Sequence, residues 1–195
     1  MTIAERRLLI IDGHPDPDRA RLTHALAHAY VEGAHEAGLL TRMITLADIE
    51  FSVLRTPADF DQAPQTPSIL SARADVEWAT HIVIIFPIWL GSAPAYLRAF
   101  LEQVARADFL ATVSARGWSM KLKGKSARLI ATMGMPAIMY RLMFGAFGVR
   151  SIARSVLGFA GVGPVRITLF GGGGGENNSA ARWLRKAREL GVNGA

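Results

Sequence analysis

Residues 81–86, His-Ile-Val-Ile-Ile-Phe, limit the possible folds more than any other stretch of this chain. A strand with one face in water alternates apolar and polar side chains. A strand with no alternation is covered on both faces, as in a parallel sheet. Pro87 ends the run, because proline has no N–H to give to a ladder. Parallel neighbours need crossover connections, and the rest of the chain supplies them. Short apolar runs at 8–11, 42–46, 127–132 and 165–170 read as further strands. Helices are predicted over 20–37, closed by Gly38, and over 72–79, 94–105, 151–159 and 178–190, closed by Gly191. In the 94–105 helix, Leu97, Phe100, Leu101 and Val104 fall at i, i+3, i+4 and i+7 and form one apolar stripe. Residues 47–70, rich in Pro, Asp, Gln and Thr, read as a long surface excursion. The rhythm implies one α/β domain over residues 1–195, with helices on both faces of a five-stranded parallel sheet. The doubly wound order 2-1-3-4-5 suits five strands, and in such sheets ligands sit beyond the carboxyl ends of the strands.

Composition removes several classes of function. The chain has no cysteine, so disulfides, thiolate chemistry and iron–sulfur clusters are excluded, and a reducing cytoplasm fits. The N-terminal apolar run, Leu8–Ile11, is too short for a secretory signal. The most apolar later window, residues 133–149, is broken by Pro136, Arg141, Gly145 and Gly148 and reads as a buried segment or an apolar interface, with no stable membrane insertion. The net charge is +6, but the basic residues are scattered and no nucleic-acid-binding motif is present. Such a field suits an anionic cofactor as well as a solvated surface.

Three strand ends carry the residues with chemistry. The first loop, "DGHPDPDRARLTHAL", leads into a helix whose N-terminus attracts anions. His14 can donate to a phosphate, and Arg19 or Arg21 can add charge-assisted bonds. Alternatively, Asp16 or Asp18 caps the helix and the arginines are solvated. The loop has neither a Walker A pattern nor G-x-G-x-x-G. In the second loop, "PIWLGSAP", Ser92 can cap a helix, Pro94 suits its first turn, and Gly91 permits close backbone approach. Trp89 offers a flat face to an aromatic ligand, or else closes the sheet end as a core residue. In the third loop, "TMGMPAIMY", Thr132 and the Gly134 amide can bond a polar heterocycle. Tyr140 can donate a proton, or is an ordinary half-buried tyrosine.

Taken in order, "GHPDPD", "FPIWLGSAPAYLRAFLEQV", "LKGKSARLIATMG", "YR" and "VLGFAGVGPVRITLFG" resemble the flavodoxin-like NAD(P)H:quinone oxidoreductases of the DT-diaphorase type, especially their short bacterial members. The resemblance runs from about residue 7 to residue 190. It implies a flavodoxin-like fold and a non-covalent flavin, FAD or FMN. The flavin phosphate would lie on the loop of His14, Arg21, Leu22 and Thr23. The isoalloxazine ring would lie against Pro87, Ile88, Trp89 and Leu90, and against Thr132, Met133 and Gly134, with Tyr140 as the catalytic candidate. NAD(P)H would be the co-substrate and a quinone or other small aromatic molecule the acceptor, in ping-pong order. A homodimer is implied, with residues 137–149 as a candidate contact.

Two departures stand out. The five histidines are at 14, 24, 28, 35 and 81, so the Tyr–His pair of the well-studied relatives is absent, with Arg141 or Arg150 as substitutes. Ala20 and Arg21 replace the serine often found on the phosphate side. Among rival readings, a regulatory flavoprotein, such as an ancillary subunit of a potassium-efflux system, fits the same residues. The glycine-rich "FGGGGGENNSAARWL" departs from the phosphate-binding spacing at Glu176. There is no G-x-S-x-G elbow for a hydrolase. His24, His28 and His35 lack an H-E-x-x-H pattern and read as surface histidines rather than metal ligands.

Overall fold

The computed structural model describes residues 6–114, 117–172 and 179–194. Five strands form one sheet: β1 (Arg7–Asp12), β2 (Leu40–Thr45), β3 (His81–Pro87), β6 (Ser126–Met133) and β7 (Val165–Gly171). All pairs are parallel, in the order β2-β1-β3-β6-β7. Within this sheet that is the expected 2-1-3-4-5 arrangement. The chain numbering differs because a separate antiparallel hairpin, β4 (Ala111–Ser114) and β5 (Gly117–Met120), intervenes. Its strands are too short to carry a periodic signal.

β3 is buried at all seven positions, as its composition demands. Its side chains divide between two cores. Ile82, Ile84 and Phe86 join Leu9, Ile11 and Leu129 on one face; Val83 and Ile85 join Leu8, Ile10 and Ile130 on the other. The first face is covered by α3 (Pro67–Trp78), α4 (Ala95–Ala105) and a π-helical segment (Ile152–Gly158). The second is covered by α1 (Leu22–Glu36) and α7 (Ser179–Val192). These two helices cross backbone against backbone. A Cβ at Gly191 would lie 2.0 Å from Tyr30 O, and one at Gly33 would lie 2.1 Å from Arg188 O, so only glycine allows the approach. Trp183 of α7 stacks on Phe170 of β7 with ring centroids 5.5 Å apart.

The excursion over 47–70 is more ordered than its composition suggests. It contains α2 (Pro57–Asp61), opened by a reciprocal capping box between Thr56 and Asp59. The following helix begins at Pro67, not at residue 72, because a proline suits the first turn. Tyr96 donates to Ile49 O at 2.5 Å and Gln103 to Ser52 O at 2.6 Å, which pins the stretch to α4. Residues 137–149, read as an apolar segment, form α5 (Ala137–Phe144) and enter α6 (Phe147–Ser151) through left-handed Gly145 and Ala146. The first helix starts at Leu22 rather than residue 20, and the π-helical segment occupies most of the predicted 151–159 helix. No helix among the described residues is long and apolar enough to cross a membrane.

His81 opens β3 inside the protein. Its Nδ1 meets Ser126 Oγ at 2.8 Å, and its buried Nε2 has no partner among the described residues. Burial, followed by the charges of Arg128, Arg6 and Arg166, pushes its pKa from 6.5 down to about 4. The unfolded chain therefore binds a proton that the folded chain refuses across that window, and stability falls as pH drops from 6.5 toward 4. His81→Leu is expected to flatten this acid limb, by on the order of 2–3 kcal/mol at its lower end. Urea denaturation between neutral pH and pH 4 measures it; an unchanged limb would refute the assignment.

Candidate functional site

The three loops meet at one end of the sheet. Gly13 N–H donates to Ile85 O at 2.7 Å, joining the first loop to β3. Ile88 N–H donates to Thr132 O at 2.7 Å, joining the second loop to the end of β6. The expected convergence of Asp12–Pro15, Pro87–Gly91 and Thr132–Gly134 is thus present.

The first loop is held by its own aspartates. Asp12 Oδ1 accepts from His14 N–H, Asp16 Oδ1 from Asp18 N–H, and Asp18 Oδ1 from Ala20 N–H, at 3.3, 2.9 and 3.0 Å. These Asx turns, each closing two residues on, are what an alternating Asp/Pro sequence favours. None caps α1. Its N-cap residue is Arg21, which offers no side-chain oxygen, and the N–H groups of Leu22 and Thr23 have no partner among the described residues. A fifteen-residue helix therefore presents an open N-terminus at the strand ends. Arg21, expected to reach a phosphate, instead pairs with Asp16 at 2.8 Å and lies 3.5 Å from Asp18. A backbone bond from Asp18, then Arg21, holds Asp16 below the usual carboxylate range. Arg19 forms an exposed pair with Asp48.

His14 is buried, with its ring edge-on to Trp89 at 5.8 Å between centroids. Burial, then the neighbouring His24, lowers its pKa. Trp89 is half exposed, neither a closed core residue nor a free one. Trp89 and Ser92 exchange backbone bonds of 2.8 and 3.0 Å around a two-residue turn. Leu90 and Gly91 both have positive φ, +47° and +78°, the geometry of a type I′ turn. Glycine accepts this freely; Leu90 does so at a conformational cost, with its side chain fully in solvent. The N–H groups of Leu90 and Gly134 have no partner among the described residues. Ser92, expected as a helix cap, serves the turn, and α4 starts after Pro94 without a side-chain cap.

Tyr140 was expected to offer its hydroxyl to the reaction. The side chain is instead fully buried, and the hydroxyl donates to Gly91 O at 2.8 Å. Burial raises its pKa, opposed by the backbone N–H groups of Val149 and Gly148. Gly148 packs so closely under the turn that a Cβ there would lie 2.3 Å from Gly91 O. Thr132 and Met133 are buried, and Gly134 is exposed. Of the two arginines considered in place of a histidine, Arg150 donates to Gly145 O in its own segment and Arg141 is exposed on α5.

His24 is not a surface histidine: it is buried against Asp12. The signal was present, since His24 precedes Ala27 by three residues on the inward stripe of α1. Among the described residues no three His, Asp or Glu side chains cluster as a metal site. Of the glycine-rich stretch, residues 173–178 lie outside the described residues. A cavity of about 640 Å³ lies between α2, α4 and the π-helical segment and includes none of the loop residues above.

This topology and these loops match a known family. A family model described as flavodoxin-like fold covers residues 6–190. The chain belongs to the flavodoxin-like family. That agrees with the family indicated by the three loops. Over 155 residues, 66% of this chain, it is 26% identical to a ribosyldihydronicotinamide dehydrogenase-like protein of Penicillium crustosum. The match spans 57% of that relative's length. Two solved structures share the fold. An NAD(P)H:quinone oxidoreductase from Methanothermobacter marburgensis has a TM-score of 0.79 and 18% identity, over 96% of this chain and 98% of that one. An FMN-dependent NADH-azoreductase from Bacillus anthracis, in complex with FMN, has a TM-score of 0.75 and 14% identity, over 96% and 98%.

Tyr140→Phe removes one buried hydrogen bond and leaves Gly91 O without its donor. It is expected to cost about 1 kcal/mol of stability and to increase amide exchange at Trp89 and Ser92, the two hydrogen-bonded amides of the turn. Hydrogen-exchange NMR reads the turn directly; unchanged exchange there would show that Tyr140 does not hold it.

Proposed function

We propose that this chain is a flavin-dependent NAD(P)H oxidoreductase that reduces a quinone or a related small aromatic acceptor. The observation that carries the reading is the meeting of an open helix N-terminus with a half-exposed tryptophan shelf at three adjacent strand ends. The residues suit a flavin on grounds of donor chemistry. The N–H groups of Leu22 and Thr23 and the ring of His14 would hold a phosphate. The backbone of Pro87–Leu90, edged by Trp89, would seat the ring, and the amides of Leu90 and Gly134 would face its polar edge. FMN is favoured over FAD: one helix end and one histidine serve a single phosphate, and the Bacillus anthracis structure named above holds FMN.

A bound flavin would supply the redox chemistry, accepting hydride from NAD(P)H and passing two electrons to the acceptor. The protein's part is orientation. Tyr140 holds the second loop in place rather than acting as an acid. In this reading NAD(P)H and the acceptor use one site in succession, a ping-pong order that the family resemblance implies. A cytoplasmic setting belongs to the same reading. The names of the Penicillium and Methanothermobacter relatives support the reaction class.

Ile138, Met139, Leu142, Met143 and Phe147 expose an apolar surface. We place a homodimer contact there. Sedimentation velocity is expected to show a dimer, and Leu142→Asp a monomer; a wild-type monomer at micromolar concentration refutes the contact.

The reaction is tested by spectrum. Purified protein is expected to be yellow or to take up FMN, to bleach anaerobically with NADPH, and to recover its colour with menadione. Trp89→Ala is expected to weaken FMN binding about tenfold. Failure to take up FMN or FAD ends the proposal. Bleaching without recovery assigns the regulatory role instead.

A further inference from the structure

Asp12, the last residue of β1, and His24, in the first turn of α1, are a buried ionisable pair behind the first loop, with side chains 0% and 1% exposed. A carboxylate taken out of water is tolerated only when paired and hydrogen-bonded. Asp12 is satisfied on both oxygens, Oδ2 by His24 Nδ1 and Oδ1 by His14 N–H at 3.3 Å. His24 Nε2 lies 2.9 Å from the carbonyl oxygen of Asp16. Both ring nitrogens of His24 therefore face oxygens that, as carboxylate and carbonyl, only accept. With Asp12 as a carboxylate both nitrogens donate, and the pair is carboxylate and imidazolium.

Asp16 is gripped from two sides. Its carbonyl takes the His24 bond, and its N–H donates to His14 Nδ1 at 3.1 Å. His14 Nδ1 is thereby an acceptor, so the proton of the neutral ring sits on Nε2. That atom has no partner among the described residues and is the one polar group of the ring left for a ligand. The charged and titratable groups around this arrangement are Asp12 from β1, His14 and Asp16 from the loop, Arg21 from the start of α1, which is paired to Asp16, and Arg19, which is paired to Asp48 and feels the charge of Asp12.

We propose that Asp12 and His24 are positioning residues which, as a buried carboxylate–imidazolium pair, fix the first loop so that His14 presents Nε2–H alone to a bound anionic group. The identity of that anion as the flavin phosphate rests on the reading under Proposed function; the internal arrangement does not.

The test is nitrogen-15 NMR on histidine-labelled protein at pH 7, with and without FMN. Both ring nitrogens of His24 are expected to be protonated, and His14 to carry its proton on Nε2 only, with that signal moving on FMN addition. Asp12→Asn and His24→Asn are expected to leave His14 a mixture of tautomers and to raise the FMN dissociation constant about tenfold or more. A single ring proton on His24 overturns the proposal. So do variants that lose thermal stability yet keep the His14 tautomer and wild-type FMN affinity. If the variants do not fold, the wild-type spectrum decides alone. If wild-type protein shows the expected histidine states but takes up no FMN, the flavin reading fails and the pair stands, with inorganic phosphate then used to shift the His14 Nε2 signal.

Discussion

The end of β3 is where the loops of the site are joined. Because all seven of its residues are buried, β3 has to lie between two parallel neighbours and under helices on both faces. The adjoining loops are then joined to the sheet at the carboxyl ends of β3 and β6. Ile85 O takes Gly13, and Ile88 N–H reaches Thr132 O. Two bonds thereby fix three loops from distant parts of the chain to within reach of one ligand. The site is an outcome of sheet registration before any functional side chain is considered.

Neutral donors dominate what the loops then offer. The basic composition suggested arginines on a phosphate, yet Arg21 is consumed by Asp16 and Arg19 by Asp48. What remains are backbone N–H groups at a helix start and a histidine held neutral by burial. Such groups keep their geometry whether or not an anion is present, whereas exposed arginines would have to be ordered at an entropic cost.

The strands and the loop ends were legible because they depend on local patterns: apolar runs for β1, β3 and β6, and Pro87 or Asp12 as their stops. Element ends were less so, since Pro67 and Leu22 begin helices for reasons of capping that periodicity does not report. Tyr140 shows a deeper limit. Its residue type suggested proton donation, but its hydroxyl direction depends on α5 packing beneath the Trp89–Ser92 turn, a contact 49 residues distant in sequence. His24 was misread in the opposite sense: its place on the inward stripe was visible, but only the structure shows Asp12 waiting there. The β4–β5 hairpin gave no sequence signal because four-residue strands outside the main sheet have no second face to pattern.

The bare start of α1 has a thermodynamic meaning. A helix that lacks a side-chain cap forgoes about 1 kcal/mol that a serine or aspartate would supply. If an anion sits on Leu22 and Thr23, as proposed, it would restore that deficit only while bound, and occupancy and folding would be linked equilibria. On the proposed reading, the chain without its anion is the one more readily opened at its first helix, and its resistance to proteolysis would rise with the concentration of that ligand.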